Sequence, residues 1–329
     1  MLDTLLVDIS SYQPSISTIV LRNNEVAGLI VKSSSGLRED PIFYDHYLTC
    51  RSHDYPIAVY HWVDPIYNAQ KQMDFLLEVI KGKKISFIAL DIEQWWNNWG
   101  TWWDAITKKI SWNLVTRIRP DLISLHAKTC AYYLRSKVNI PVVIYTSYGF
   151  VTSHAPQMAE WIGDFENWVA AYYDYPAKII SWDELKQNYM PIGGSFRIPP
   201  GVPKEKIVGW QYTGDALSLP GTYQDIYQKR PSPTDVNLFN GDWIKKVFGE
   251  IPEVTLPEPV TPRIHYRVYE WVWRGLKVRL DPFIGDNQIG SLKAKQDVYL
   301  TGKKSGLWVE IHFNNAFGWI HSAYVYKVV

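Results

Sequence analysis

Short apolar runs recur along the first 240 residues, rich in Val, Ile, Leu and aromatic side chains and bounded by polar or turn-forming residues. They predict buried strands at Thr4–Ile9, Gly28–Lys32, Ile57–Trp62, Ser86–Ile92, Pro141–Thr146, Trp168–Tyr172 and Ile207–Tyr212, with a shorter one at Asp235–Phe239. Between them the period lengthens. Ala69, Met73, Leu76, Leu77 and Ile80 recur at helical spacing within Asn68–Lys81, as do Ile118, Leu122, Leu125, Thr129, Tyr132 and Tyr133 within Thr116–Lys137. Strands alternating with helices predict an α/β fold on a parallel sheet, and this number of units predicts a closed or nearly closed barrel.

The pattern changes after Phe248-Gly249. Residues 250–262 carry prolines at 252, 257, 259 and 262 with no helical period, which predicts a stiff, extended linker. From residue 263 to 329, short alternating segments are separated by turn signals at Asp281-Pro282, Gly285-Asp286-Asn287, Thr301-Gly302 and Asn314-Asn315, which predicts a small all-β module. The expected organisation is a barrel over residues 1–249, a linker over 250–262 and the small module over 263–329.

Polar and aromatic groups stand at the C-terminal ends of the predicted strands: Asp8, Lys32, Tyr60 with His61, Asp91 with Glu93, Tyr145, Tyr172 with Tyr173, and Gln211 with Tyr212. In a β/α barrel those ends converge on one face, where active sites lie. Acids at two strand ends and aromatic rings at most of the others predict a sugar-binding cleft. Asp91-Ile92-Glu93 closes the run Ile85–Leu90. Side chains two apart on a strand share a face, with Cα atoms roughly 6.5–7 Å apart. Two such carboxyls repel each other when both ionise, so one pKa rises. A protonated carboxyl beside an ionised one is the pair that glycosidic cleavage uses.

Composition narrows the field. The chain has 329 residues, 47% of them hydrophobic and 20% charged, which suffices for one large core and a smaller one. The net charge of +1 gives no long-range pull toward nucleic acid or anionic lipid. Cys50 and Cys130 make no disulfide framework and are expected to be buried thiols. The eight histidines show no zinc-protease spacing, so no metal or cofactor is expected. No apolar run reaches membrane-spanning length, and the segment from Met1 to Asp8 lacks the basic and apolar regions of a secretory signal. The expectation is synthesis in the cytoplasm, with any extracellular target reached by another route.

Seven motifs occur in the order of one family. They are Asp8-Ile9-Ser10-Ser11-Tyr12-Gln13, Ala58-Val59-Tyr60-His61-Trp62, Leu90-Asp91-Ile92-Glu93, Ile144-Tyr145-Thr146-Ser147, Trp168-Val169-Ala170-Ala171-Tyr172, Gly209-Trp210-Gln211-Tyr212-Thr213 and Asp235-Val236-Asn237-Leu238-Phe239-Asn240-Gly241. Together they resemble the glycoside hydrolase family 25 lysozymes, the N-acetylmuramidases, over most of Leu2–Phe248. The resemblance implies a modified β/α barrel that cuts the β-1,4 bond between N-acetylmuramic acid and N-acetylglucosamine. By matching position it implies Glu93 as general acid and base, Asp91 as its partner, and Asp8 and Asp235 as the rest of an acidic ring. Lys32, Tyr60, Tyr145, Tyr172, Trp210, Gln211 and Asn237 are the expected glycan contacts. The chain departs from the family at Ser35, where relatives often carry an acid, and in a long tryptophan-rich stretch, Gln94–Trp112. There Trp95, Trp99, Trp102 or Trp103, and Ile106 recur at helical spacing, as a packing stripe or a glycan-contacting lip.

The small module resembles a bacterial SH3-like domain of the kind appended to cell-wall hydrolases, through Leu276–Pro282, Gly290-Ser291-Leu292 and Gly318–Val325. That resemblance implies binding to wall peptide or cross-bridge. The expected partner is therefore bacterial peptidoglycan, with neither nucleic acid nor membrane involved and the chain a monomer; a phage endolysin fits these expectations. Asp91 can attack the anomeric carbon or orient the substrate's own 2-acetamido group to do so. Two acids on one face favour the second, and either route retains the anomeric configuration. The competing readings are a non-catalytic wall binder on a degenerate barrel and another N-acetylhexosaminidase such as a chitinase.

Overall fold

The computed structural model describes residues 1–228, 230–249, 264–279, 282, 288–313 and 316–328. The chain divides into two compact units, Met1–Ile251 and Pro252–Val329. The proline-spaced segment 250–262, and the turn signals at Asp281, Gly285-Asp286-Asn287 and Asn314-Asn315, lie outside the described residues.

Eight strands close the barrel of the first unit: β1 (Leu2–Ile9), β2 (Gly28–Ser35), β3 (Ile57–Trp62), β4 (Ile88–Asp91), β5 (Val142–Ser147), β6 (Glu166–Ala170), β7 (Ile207–Thr213) and β8 (Asp235–Asn240). Each strand from β1 to β7 runs parallel to the next, and β8 closes the ring antiparallel to both β7 and β1. The all-parallel sheet expected from the strand–helix alternation is thus corrected at its last member. Among the described residues no helix separates β7 from β8; a small strand layer containing Leu217–Tyr223 and Pro231–Pro233 brings the chain back. The reversal has a functional result, because the first residue of β8, Asp235, pairs with Asp8 near the end of β1.

Alternate side chains face inward. Leu6, Ile30, Ala58, Ala89, Val143, Trp168 and Phe239 fill the barrel interior. Their neighbours Val7, Leu29, Val59, Leu90, Ile144 and Leu238 belong to the outer core under the helices. The floor is sealed by helix α8 (Gly241–Phe248), whose Trp243 ring lies 5.1 Å from Phe87 edge-on, with Phe239 beside it. Gly209 makes room for this floor: a Cβ there would sit 2.6 Å from the Phe239 ring. With the floor packed, the barrel opens only at the mouth where the parallel strands end.

Helices cover the outside: α1 (Thr18–Asn23), α2 (Phe43–Ser52), α3 (Ala69–Ile80), α4 (Trp99–Ile106), α5 (Pro120–Lys137), α6 (Tyr148–His154) and α7 (Trp182–Asn188). Asn68 caps α3 (Ala69–Ile80), accepting a hydrogen bond from the Lys71 amide, and Met73 and Leu76 are buried as expected. The longest helix, α5 (Pro120–Lys137), begins four residues later than its apolar period suggests. Pro120 occupies the first turn, the preceding Arg119 is extended, and Arg117 bridges to Trp96. Its buried face is also different from the expected one. Ile123, Ala127, Cys130, Ala131 and Leu134 point inward, while Leu122 and Leu125 are exposed. Both Cys50 and Cys130 are buried free thiols. Among the described residues no helix is long and apolar enough to cross a membrane.

The second unit is all-β. Its strands β9 (Ile264–Val268), β10 (Leu276–Arg279), β11 (Gln288–Leu292), β12 (Asp297–Ser305), β13 (Trp308–Phe313), β14 (Ala316–His321) and β15 (Val325–Lys327) form one sheet in the order β11-β10-β14-β13-β12-β9-β15. Val268, Val278, Leu292, Val309, Ile311 and Ile320 are among its core residues. The turn expected at Thr301-Gly302 lies inside β12, where the pairing with β13 shifts register; the hairpin instead turns at Gly306-Leu307.

Candidate active site

The inward parity of each strand continues past the apolar layer to the mouth. Two residues beyond Leu6, Ile30, Ala58, Ala89 and Val143 stand Asp8, Lys32, Tyr60, Asp91 and Tyr145. Asp8 pairs with Asp235, Lys32 with Tyr60, and Asp91 with both Trp62 and Tyr145 across the ladder. β4 ends at Asp91, and Glu93, two residues on, keeps to the same side. All of these groups line one open cavity of about 330 Å³, together with Tyr12, Trp62, Trp168, Tyr172, Gln211 and Asp215. The arrangement unites Asp8, Asp91, Glu93, Asp235, Lys32, Tyr60, Tyr145, Tyr172 and Gln211.

Beneath the mouth runs a hydrogen-bonded chain. The Tyr145 hydroxyl donates to Gln211 Oε1 at 2.6 Å, and the Tyr172 hydroxyl donates to the same oxygen at 2.7 Å. Gln211 Nε2 donates to Asp8 Oδ2 at 2.8 Å, and Asn237 Nδ2 donates to that oxygen at 2.8 Å. The Trp168 indole donates to Asn237 Oδ1 at 2.9 Å, which fixes the amide's orientation. Asn237 is fully buried and lies below the cavity rather than in its lining. It acts on Asp8, where a direct glycan contact was expected. Trp210 departs further. With Gln211 facing inward, Trp210 faces outward by strand alternation. Its ring lies 4.6 Å from Phe196 and 6.1 Å from Tyr212, and its indole donates to the Ala171 carbonyl. It belongs to the packing between barrel and outer layer.

Burial governs the protonation of the acids. It pushes the Asp8 carboxyl up to about 7, although the Asn237 and Gln211 amides favour the ionised form. It likewise raises Glu93 to about 7, against the opposing pull of the Lys32 ammonium. Asp91 is raised well above the ordinary carboxylate range by burial first and then by the nearby Glu93. Asp235 is raised by burial and by Asp8, while the Asp215 amide donates to its Oδ1 at 2.8 Å. Five carboxyls, Asp215 included, thus line a cavity whose described lining holds one lysine, and the Asp91–Glu93 pair keeps a proton near neutral pH. Asp91 Oδ1 is buried without a hydrogen-bond partner among the described residues. Lys32 Nζ lies 5.2 Å from the Trp62 ring centre and 5.7 Å from that of Tyr60.

Trp62, Trp168, Tyr12 and Asp215 also line the cavity and were not among the expected site residues. Trp168 forms part of the wall, and Tyr12 is exposed at the rim. Asp215 contributes its backbone amide, from a left-handed conformation at φ 50°, and a side-chain charge that adds to the upward push on Asp8 and Asp235. The tryptophan-rich stretch is not one helical stripe. Asn98 caps α4 (Trp99–Ile106), so Trp95 precedes the helix, and Trp103 and Ile106 are exposed. Trp96 stacks on Trp102 with ring centres 4.3 Å apart, next to Ala105 and Val115. Trp99 lies 5.5 Å from Trp62 and donates to Asp64 Oδ2.

The comparisons agree with this geometry. The sequence model described as glycosyl hydrolases family 25 matches residues 7–222. No curated protein matches the sequence. Among solved structures, the CTP1L endolysin is 19% identical, with 75% of this chain and 70% of that chain covered and a TM-score of 0.52. The catalytic domain of endolysin ply40 from bacteriophage P40 of Listeria monocytogenes is 18% identical, over 75% and 98%, with a TM-score of 0.51. The bacterial lysozyme from Streptomyces coelicolor is 15% identical, over 75% and 98%, with a TM-score of 0.54. At these identities the structural likeness is one of fold. The family match covers Asp8, Asp91, Glu93 and Gln211, and on that ground the chain belongs to the glycosyl hydrolases of family 25 and is a lysozyme-type glycoside hydrolase.

Proposed function

We propose that the barrel is a peptidoglycan hydrolase that cleaves the β-1,4 bond between N-acetylmuramic acid and N-acetylglucosamine with retention of configuration. The observation that carries the reading is the grouping of Asp91, Glu93 and Lys32 in one open cavity, with the acids partly desolvated and a free Asp91 oxygen beside them. Glu93, raised to about 7, holds a proton at neutral pH and is only half-buried, so it can meet a glycosidic oxygen. It donates that proton as the bond to the anomeric carbon breaks.

The oxygen of the substrate's 2-acetamido group attacks the same carbon, and Asp91 Oδ1 accepts the amide hydrogen that steers it. The Glu93 carboxylate then takes a proton from water as that water opens the cyclic intermediate. Two displacements at one carbon restore the original configuration. Asp8, held by the Gln211 and Asn237 amides that favour its ionised form, adds negative potential where the oxocarbenium charge develops, with Asp235 beside it. Tyr60, Tyr145 and Tyr172 offer rings and hydroxyls to the sugar, and Gln211 and Asn237 hold Asp8 in place. The second unit holds the enzyme at the cell wall, which raises the local concentration of glycan for the barrel. An endolysin role accords with this wall-directed action.

Proton transfer of this kind is worth ~10²–10⁴-fold in rate. Glu93→Gln should remove lysis of purified walls by that factor while circular dichroism and wall binding stay intact. A variant that clears walls near the parent rate would refute the assignment. NMR of the first-formed product should show the β anomer, and an α product would reject both retaining routes.

A further inference from the structure

The second unit carries a cavity of about 600 Å³ lined by, among others, Trp271, Trp273, Trp308, Tyr324, Arg274 and Lys277. These rings are not core. Trp271 is 58% exposed and Trp273 74%, whereas Val272 between them is buried. Alternation in the loop thus anchors one apolar side chain and displays two tryptophans. The loop is held by hydrogen bonds from the Val272 amide to the Tyr269 carbonyl and from the Gly275 amide to the Val272 carbonyl. Gly275 takes the left-handed φ of 86° that carries the chain into β10.

The rings form a continuous shelf. Trp271 lies 5.5 Å from Tyr324, Tyr324 lies 5.4 Å from His321, and His321 lies 5.5 Å from Trp308. The Arg274 guanidinium is 4.6 Å from the Trp273 ring centre. Among the described residues no acidic side chain lines this cavity. Net charge points the same way. Residues 263–329 carry ten Lys and Arg against five Asp and Glu, a net +5, within a chain whose total is +1.

We propose that this cavity binds an anionic wall glycopolymer with phosphodiester-linked repeats, its sugar faces stacking on the tryptophans and its phosphates pairing with Arg274 and Lys277. Flat apolar ring faces suit pyranoses, and cations without competing carboxylates suit phosphodiesters. The family resemblance implies wall peptide or cross-bridge as ligand. A peptide bearing a free ammonium would need an acid to pair with, and the cavity's described lining offers none. The proposal rests on the wall-directed reading above.

The test uses the full chain with Glu93→Gln and two probes. The first is purified glucosylated poly(glycerol phosphate), followed by calorimetry. The second is cell walls before and after hydrofluoric acid removes their phosphodiester polymers, followed by cosedimentation. The soluble polymer should bind saturably, with affinity that falls as salt rises. Trp273→Ala and the conservative surface change Lys277→Gln should each weaken binding, by about tenfold for Trp273→Ala. On intact walls both variants should release protein, and on stripped walls neither should differ from the parent. Absence of polymer binding would overturn the proposal. So would a defect that persists on stripped walls, which would mean peptide recognition. Glycan cleavage of stripped walls by the enzyme with Glu93 intact reports on the barrel separately: its loss would count against the muramidase reading and leave this one standing.

Discussion

The barrel cavity and the cavity of the second unit are both lined with aromatic rings, but they differ in charge and in depth. The barrel gathers Asp8, Asp91, Glu93 and Asp235 around Lys32, with Asp8 held by buried amides. The second cavity sets Arg274 and Lys277 among open indoles. Desolvation separates their roles. In the barrel it shifts protonation into the neutral range, as reacting groups require. In the second unit charge and ring faces remain open to solvent, as recognition requires. We therefore propose chemistry for the first and retention at the wall for the second.

The largest expected effect breaks that division cleanly. Glu93→Gln should cost ~10²–10⁴-fold in hydrolysis and leave binding of the anionic polymer unchanged, whereas Lys277→Gln should weaken polymer binding and leave the hydrolysis of short soluble glycans unchanged. Turbidity and calorimetry on the same preparations check both halves. A single variant that moved both readouts would dissolve the comparison.

Stability against pH sharpens it next. Glu93 titrates at 4.5 when unperturbed and at about 7 in the fold. Between those values the folded chain keeps a proton that the unfolded chain has released, so its contribution to stability falls as pH rises through that window. Below pH 4.5 the penalty is absent, and above about 7 it is complete. Glu93→Gln should therefore stabilise the barrel by about 1–3 kcal/mol at pH 8, allowing for partial exposure, and by nothing measurable at pH 4. Thermal melts at the two pH values decide. Asp297, in the second unit, has the opposite sign. Its pKa is lowered, chiefly by the Arg267 hydrogen bond at 2.7 Å. Its contribution is present above the ordinary value of 3.8 and is lost as pH falls below it, so Asp297→Asn should lower the second unit's melting temperature at neutral pH and leave it unchanged in strong acid.

A smaller shift tests Lys32, the one cation among the described residues that line the barrel cavity. Lys32 pulls the pKa values of Asp91 and Glu93 down. Lys32→Met should move both limbs of the pH–rate profile upward, by roughly one unit. A profile displaced downward would contradict the placement of that ammonium.

The barrel's strands were legible because buried strands in this architecture read as compact apolar runs with chemistry at their ends. That pattern has no direction, so it could not reveal that β8 returns antiparallel, even though Asp235 depends on the reversal. Parity along β7 was available in the sequence: Trp210 and Gln211 are adjacent and cannot face the same side. The helix α5 was harder, because Leu122 and Leu125 make a second apolar stripe that the fold leaves exposed. Asn237 looked like a ligand contact because it belongs to the motif that opens with Asp235, yet it is the second of the three inward residues Asp235, Asn237 and Phe239. Only the packed floor shows that it sits one layer too deep. Asp215 was missed because it lies in the loop just past the end of β7, outside every strand end and motif that the sequence offers.

The most direct test is mass spectrometry of borohydride-reduced fragments released from purified peptidoglycan by the full-length enzyme. The account predicts muramitol at the new reducing ends, with the peptides intact. Glucosaminitol ends or severed peptides would contradict it.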